Sequence, residues 1–285
     1  MVDFHTHIYL AYCQQWVGIS FSSGLCHYYS KQIMVIKEIG GHKVSVYDSI
    51  DELPMVRFHK YQKYLMIDSG VGSDLRSFDE RAERIRRFLM DNQPDKAVQE
   101  MNNLRQCVYL IQSEINPKHL AFATLVKEID GVPQDDLTDE GIKRVLNTLA
   151  EGTTQEVADI TDAAKKKIDE ELTIYFPKLF EDSEIKEYFN LLRARALKIL
   201  QNIIAGRNPE DIETEKLTTK LITYSKPKNY AGSDGVEVQY DRQFENLCLS
   251  LSEQLHVNPK GFTVKEFYNA FDFLNERARQ ANKKR

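Results

Sequence analysis

Apolar residues recur at helical spacing along most of this chain, and the longest such run lies at 183–205. There Ile185, Tyr188, Phe189, Leu192, Ala196, Ile199, Leu200, Ile203 and Ile204 trace one face, while Gly206 supplies a C-terminal stop. Arg193, Arg195 and Lys198 fall largely outside that face. A stripe this long has to be covered, by another helix of the chain or by another molecule. Shorter stripes precede and follow it. Phe78, Ala82, Ile85 and Leu89 form one; Val98, Met101, Leu104, Cys107, Val108 and Ile111 form the next. Phe244, Leu247, Cys248, Leu251 and Leu255 form another, and Phe267, Tyr268, Phe271 and Leu274 close the series. With only 13 Gly and 8 Pro in 285 residues, breakers fall between the stripes, as at Pro94, Pro117 and Pro259. Asp74 or Ser73 is placed to cap the helix after Gly72, and Thr263 with Glu266 reads as a capping box.

One stretch follows a different period. Val35-Ile36-Lys37-Glu38-Ile39 and Lys43-Val44-Ser45-Val46-Tyr47 flank Gly40-Gly41, which predicts a β-hairpin. The fold class is therefore mainly α: an N-terminal β-hairpin followed by a multi-helix bundle in two parts. Residues 34–130 read as hairpin plus helical subdomain, and the breaker-rich 130–136 as a hinge to a second helical subdomain at 131–225. Residues 226–238 read as a loop and 239–285 as a C-terminal helical pair.

Before the hairpin, residues 1–33 carry only Asp3 and Lys31 as charged groups and are rich in aromatic residues, Ser and Cys. They are expected to be a non-native or disordered extension upstream of a start at Met34. They contain Asp3-Phe4-His5-Thr6-His7, the D-x-H-x-H opening used by metal-dependent hydrolases, where alternation along a strand aims both imidazoles at one cation. No second H-x-H accompanies it, so neither a metal nor any other cofactor is expected, and the hydrolase built on Asp3, His5 and His7 ranks last among three readings.

Net charge is −5, so no global positive field draws nucleic acid. One local segment could: Arg57, Lys60, Tyr61, Lys63 and Tyr64 interleave cations with rings that can pair phosphates and stack bases. The alternative is an amphipathic segment with its rings on the core and its charges in water. The four cysteines are scattered as suits reduced thiols, no apolar run is long enough to span a membrane, and no signal peptide is evident, so a cytoplasmic location is expected. No G-x-S-x-G, H-E-x-x-H, Walker or dinucleotide fingerprint is present, which shifts the expectation toward a protein that is not an enzyme.

Two patches carry a family resemblance. Asn103-Leu104-Arg105-Gln106-Cys107-Val108-Tyr109 with Pro117-Lys118-His119-Leu120-Ala121-Phe122-Ala123 resembles proteins encoded among the virion genes of tailed phages of gut bacteria. The Asn258-Pro259 break and Phe262-Thr263-Val264-Lys265-Glu266-Phe267-Tyr268 resemble the ends of phage tail-assembly chaperones. The resemblance covers about a fifth of the chain, and the N-terminal hairpin lies outside its pattern. It implies a non-catalytic role in phage assembly in the host cytoplasm or the virion, with tail or other virion subunits as partners and no catalytic residues to carry over. Ile185, Phe189, Leu192, Ile199, Ile203, Phe267, Tyr268 and Phe271 are the residues expected to meet such partners, or a second copy in a homo-oligomer.

Overall fold

The computed structural model describes residues 36–177, 183–224, 228–230 and 232–283. Expectations resting on residues 1–33, Asp3, His5 and His7 among them, lie outside that range. The chain is mainly helical with a leading hairpin, as the periodicity predicts. Strands β1 (Ile36–Ile39) and β2 (His42–Val46) come first, then helices α1 (Met55–Gly70), α2 (Leu75–Met90), α3 (Pro94–Gln112) and α4 (Pro117–Leu125). Strands β3 (Val126–Ile129) and β4 (Val132–Pro133) interrupt the helices. Then follow α5 (Asp139–Thr148), α6 (Thr154–Tyr175), α7 (Ser183–Ile204), α8 (Ile212–Tyr224), α9 (Val236–Leu255) and α10 (Val264–Lys283). These segments form two compact units.

The first unit comprises described residues 36–69, 114–177 and 237–283. Its sheet is antiparallel in the order β1-β2-β3-β4. The β1–β2 turn has positive φ at both Gly40 and Gly41, the mirror-image turn that matches strand twist. A Cβ on Gly40 would lie 2.8 Å from the backbone nitrogen of Gly152, so that turn is also a close packing point. Asp130-Gly131, expected as a hinge, is instead the turn of a second hairpin, with φ of 51° and 78°. Val44 pairs with Ile129, which brings strands 80 residues apart into register. The Asp130 carboxylate accepts from the Lys43 amide at 2.8 Å and meets His42 Nδ1 at 2.6 Å. The His42 hydrogen bond, followed by that from Lys43, holds Asp130 below the usual carboxylate range.

The core of this unit joins Ile39, Val44, Phe58, Tyr61, Phe122, Leu125, Ile168, Tyr240, Phe244, Leu251 and Phe267. Its N- and C-terminal segments are stitched by backbone. Met55 donates to the Phe262 carbonyl at 2.8 Å, and Val264 and Lys265 donate back to Leu53 and Ile50 at 2.9 and 3.1 Å. Glu171 of α6 accepts from the Ser49 hydroxyl and the Ile50 amide. The Thr263–Glu266 capping box is formed, and a second, Thr153 with Glu156, opens α6.

The second unit comprises 70–113 and the described part of 178–236. It consists of two helical hairpins, α2 on α3 and α7 on α8. Asp74 caps α2 by accepting from the Ser77 amide at 2.7 Å, and Asn116, in the first unit, caps α4.

Candidate interaction surface

Amphipathic stripes predict apolar residues inside and charges outside, and the second unit departs from that rule. Between α2 and α3 the buried side chains include Arg81, Glu100 and Asn103, each no more than 3% exposed. Arg81 Nη1 donates to Glu100 at 2.8 Å, and its Nε and Nη2 donate to the Val71 and Gly70 carbonyls at 2.5 and 2.6 Å. Arg84 lies 2.8 Å from the same Glu100 oxygen, and Asn103 donates to the other. Burial pulls the Arg81 pKa below its ordinary value, opposed by the Glu100 charge. Phe88, Ala97 and Cys107 share this interior, and burial pushes the Cys107 thiol up, away from the thiolate a nucleophile needs. The predicted stripes are only partly inside it: Cys107 is buried, Phe78, Ile85, Leu104, Val108 and Ile111 are half-buried, and Leu89, Val98 and Met101 are exposed.

The same inversion governs α7. Its side toward α8 is polar. Arg195 donates to the Thr218 hydroxyl and to Glu210, both at 2.8 Å, and Lys198 pairs with Glu213 and, at 3.7 Å, with Asp211. Asn202 is fully buried and donates to the Pro209 carbonyl. Gly206, at φ 65°, ends the helix as predicted, with the Gly206 and Arg207 amides returning to Ile203 and Asn202. Asp211 then caps α8 through the Thr214 amide; the Thr214 bonds hold its carboxyl below the usual range.

The opposite side of α7 is apolar and open. Leu192, Leu197 and Leu200 are exposed; Ile203 is 54% and Ile204 86% exposed, and Ile212 at the start of α8 is exposed too. At about 100° per residue, Leu192, Ala196, Leu197, Leu200, Ile203 and Ile204 share one arc, with Arg193 as its charge. Each buried leucine-sized side chain gains on the order of 1.5–3 kcal/mol, so leaving this arc in water forgoes several such terms. Exposed apolar surface of this kind is where proteins meet other proteins, membranes or apolar ligands.

The expected partner-binding residues thus divide. Leu192 and Ile203 stand on the open face and Ile199 is half-buried beside them, while the side chains of Ile185 and Phe189 lie outside the described residues. Phe267, Tyr268 and Phe271 are 1%, 2% and 6% exposed. They are core, because α10 turns its aromatic face into the first unit, where Phe267 meets Phe244 and Tyr268 meets Phe176. Leu197, Leu200, Ile204 and Ile212, not among the expected partner-binding residues, are exposed as well. Leu200 and Ile204 were in the stripe already; what was missing was that α8 covers the polar side of α7.

The basic–aromatic segment folds as α1. Arg57, Tyr61 and Tyr64 are buried. Arg57 Nη1 donates to the Thr124 and Val126 carbonyls at 3.1 Å, and Nη2 donates to that of Gln134. Lys60 donates to the Leu137 carbonyl and pairs with Asp139, and Lys63 pairs with Asp241 at 2.7 Å. His59 stacks between Tyr240 and Phe244, with centroids at 4.4 and 4.1 Å, and bonds Asp241 at 2.9 Å. Burial holds its pKa below the ordinary value, so the imidazole is neutral at pH 7. Rings and guanidinium alike are turned into the fold. The aromatics dock as the amphipathic reading expects, whereas Arg57 sits in the core, bonded to three carbonyls.

Among the described residues, no group of three or more His, Cys, Asp or Glu side chains converges as a metal site would, and no helix is long and apolar enough to cross a membrane. No protein family matches this sequence, and no characterised protein or solved structure resembles it at a significant level.

Proposed function

We propose that this chain is a non-enzymatic assembly or interaction protein that holds protein partners against the open apolar faces of its second unit. The observation that carries this reading is the inversion of α7, whose charged side is spent on α8 while Leu197, Leu200, Ile203 and Ile204 face water. A helix stabilised only within its own unit would present the opposite polarity. The resemblance of 103–109, 117–123 and 258–268 to tailed-phage proteins supplies the partner class. On this reading the chain acts as a tail-assembly chaperone in the host cytoplasm, shielding an apolar segment of a tail or other virion subunit until it is built in. A nucleic-acid role for 57–64 draws less support, since Arg57 and Tyr61 are inside the fold.

Co-purification of the tagged full chain from cells making the virion proteins tests this. Tail or other virion subunits are expected to accompany the wild type, and Leu200→Glu/Ile204→Glu is expected to release them while the chain stays folded. Recovery of the wild type without any virion subunit, or equal capture by the double variant, overturns the reading.

A further inference from the structure

The open side of α7 contains a seam that specifies what covers it. Leu192, Ala196, Ile199 and Ile203 follow one another at spacings of four, three and four, the heptad pattern of a helix that pairs with a helix, and in the sequence Ile185 and Phe189 carry the same spacing upstream. Leu192 and Ile203 are exposed and Ile199 is half-buried on the described part of that seam. The occupant is therefore a helix. We propose that, when no virion subunit is bound, it is α7 of a second copy of this chain, packed antiparallel in a two-fold dimer, an inference that rests on the docking role argued above for the same face, which the two occupants take in turn.

Charge selects the second copy and the register. A two-fold pair requires the seam to be complementary to itself. Placing Leu192 opposite Ile203 and Ala196 opposite Ile199 of the other copy gives four apolar layers, each made by an inner and an outer seam position. In that register, Arg193 stands beside the last turn of the opposite α7. The last turn contains no basic residue of its own, so the negative end of its helix dipole is open to a cation. The alternative register, one heptad along, would set Arg193 against Arg193 and is disfavoured by that repulsion. The small Ala196 lets the two backbones approach, and Leu200 is left beside the seam to be covered by the aliphatic stem of Arg193 from the other copy. Residues 183–224 carry seven basic and six acidic side chains, so net charge does not oppose bringing two copies together.

Sedimentation equilibrium of the full chain at micromolar concentrations tests this. The wild type is expected at twice the mass of one chain. Ile203→Glu is expected at the mass of one chain, and Arg193→Glu is expected to raise the dimer dissociation constant about ten-fold. Both positions are exposed, so unchanged circular dichroism certifies folding. Wild type at the mass of a single chain, or a dimer indifferent to both substitutions, overturns the inference. Single-chain mass combined with virion-subunit capture that Leu200→Glu/Ile204→Glu abolishes would remove the second copy and leave the docking role standing; loss of both would remove both.

Discussion

Arg57 separates a structural cation from a ligand-binding one. Its side chain is 4% exposed, and its guanidinium donates to the carbonyls of Thr124, Val126 and Gln134, which belong to the end of α4, the start of β3 and the exit from β4. Arg57→Met keeps the length of the side chain and orphans all three. A buried carbonyl that loses its donor costs about 1–1.5 kcal/mol after relaxation, so the variant is expected to lose about 3–5 kcal/mol. With a urea slope of about 2 kcal/mol per M, the unfolding midpoint of the first unit falls by about 1.5–2.5 M. Arg57→Lys recovers part of this, because one ammonium cannot span the three acceptors. Lys60→Gln and Lys63→Gln, which break partly exposed pairs, are expected to cost less than about 1 kcal/mol each. Urea unfolding followed by circular dichroism reads all four. A midpoint for Arg57→Met within about 0.5 M of wild type, together with loss of salt-sensitive DNA or RNA retention, would refute the structural role and restore the nucleic-acid one.

Glu100→Leu leaves Arg81 buried against Gly70 and Val71 alone and is expected to cost about 3–5 kcal/mol, whereas Arg81→Met/Glu100→Leu recovers most of the loss; a double variant no better than the single in a urea titration would contradict this. His59 resists protonation in the folded state, so its contribution is complete above the unfolded value near 6.5 and is lost as pH falls below it. His119, also depressed by burial, acts in the same direction. The urea midpoint should therefore fall between pH 7.5 and 5.5, and His59→Phe should flatten that fall; an unchanged slope would show that His59 is not its source. Thr263→Ala removes the cap that opens α10 and is expected to lower stability by about 1 kcal/mol, read as a small shift in thermal midpoint. Leu200→Glu/Ile204→Glu is expected to leave stability within about 0.5 kcal/mol of wild type, since both side chains already face water.

The local rules served wherever a residue acts on its own neighbourhood. Gly40-Gly41, Pro94, Pro117, Asp74, Gly206 and the Thr263–Glu266 box each end or begin an element where their chemistry requires. The β3–β4 hairpin was missed although its signal was present. Asp130-Gly131 is a favoured turn pair flanked by Ile129 and Val132, but its strands are short and its pairing with β2 spans 80 residues, which no local window sees. The candidate surface was half legible. Periodicity located the stripe on α7; it did not reveal that the stripe faces out, because that depends on Arg195, Lys198 and Asn202 finding partners at 209–218. For Phe267, Tyr268 and Phe271 the same periodicity was compatible with a partner surface, and the bonds between 50–55 and 262–265 turned that face inward.

Those same bonds set an order of events during synthesis. The strand pair, α1 and α4 to α6 leave the ribosome well before the segment that Leu53 and Met55 must meet, so the first unit stays open until residue 265 has emerged. The α2–α3 hairpin and its Arg81–Glu100 bond lie within some forty residues and can close long before. A nascent chain stalled short of 262 would thus expose Phe58, Phe122 and Phe244, rings that the finished molecule buries, and would be the form most prone to aggregate.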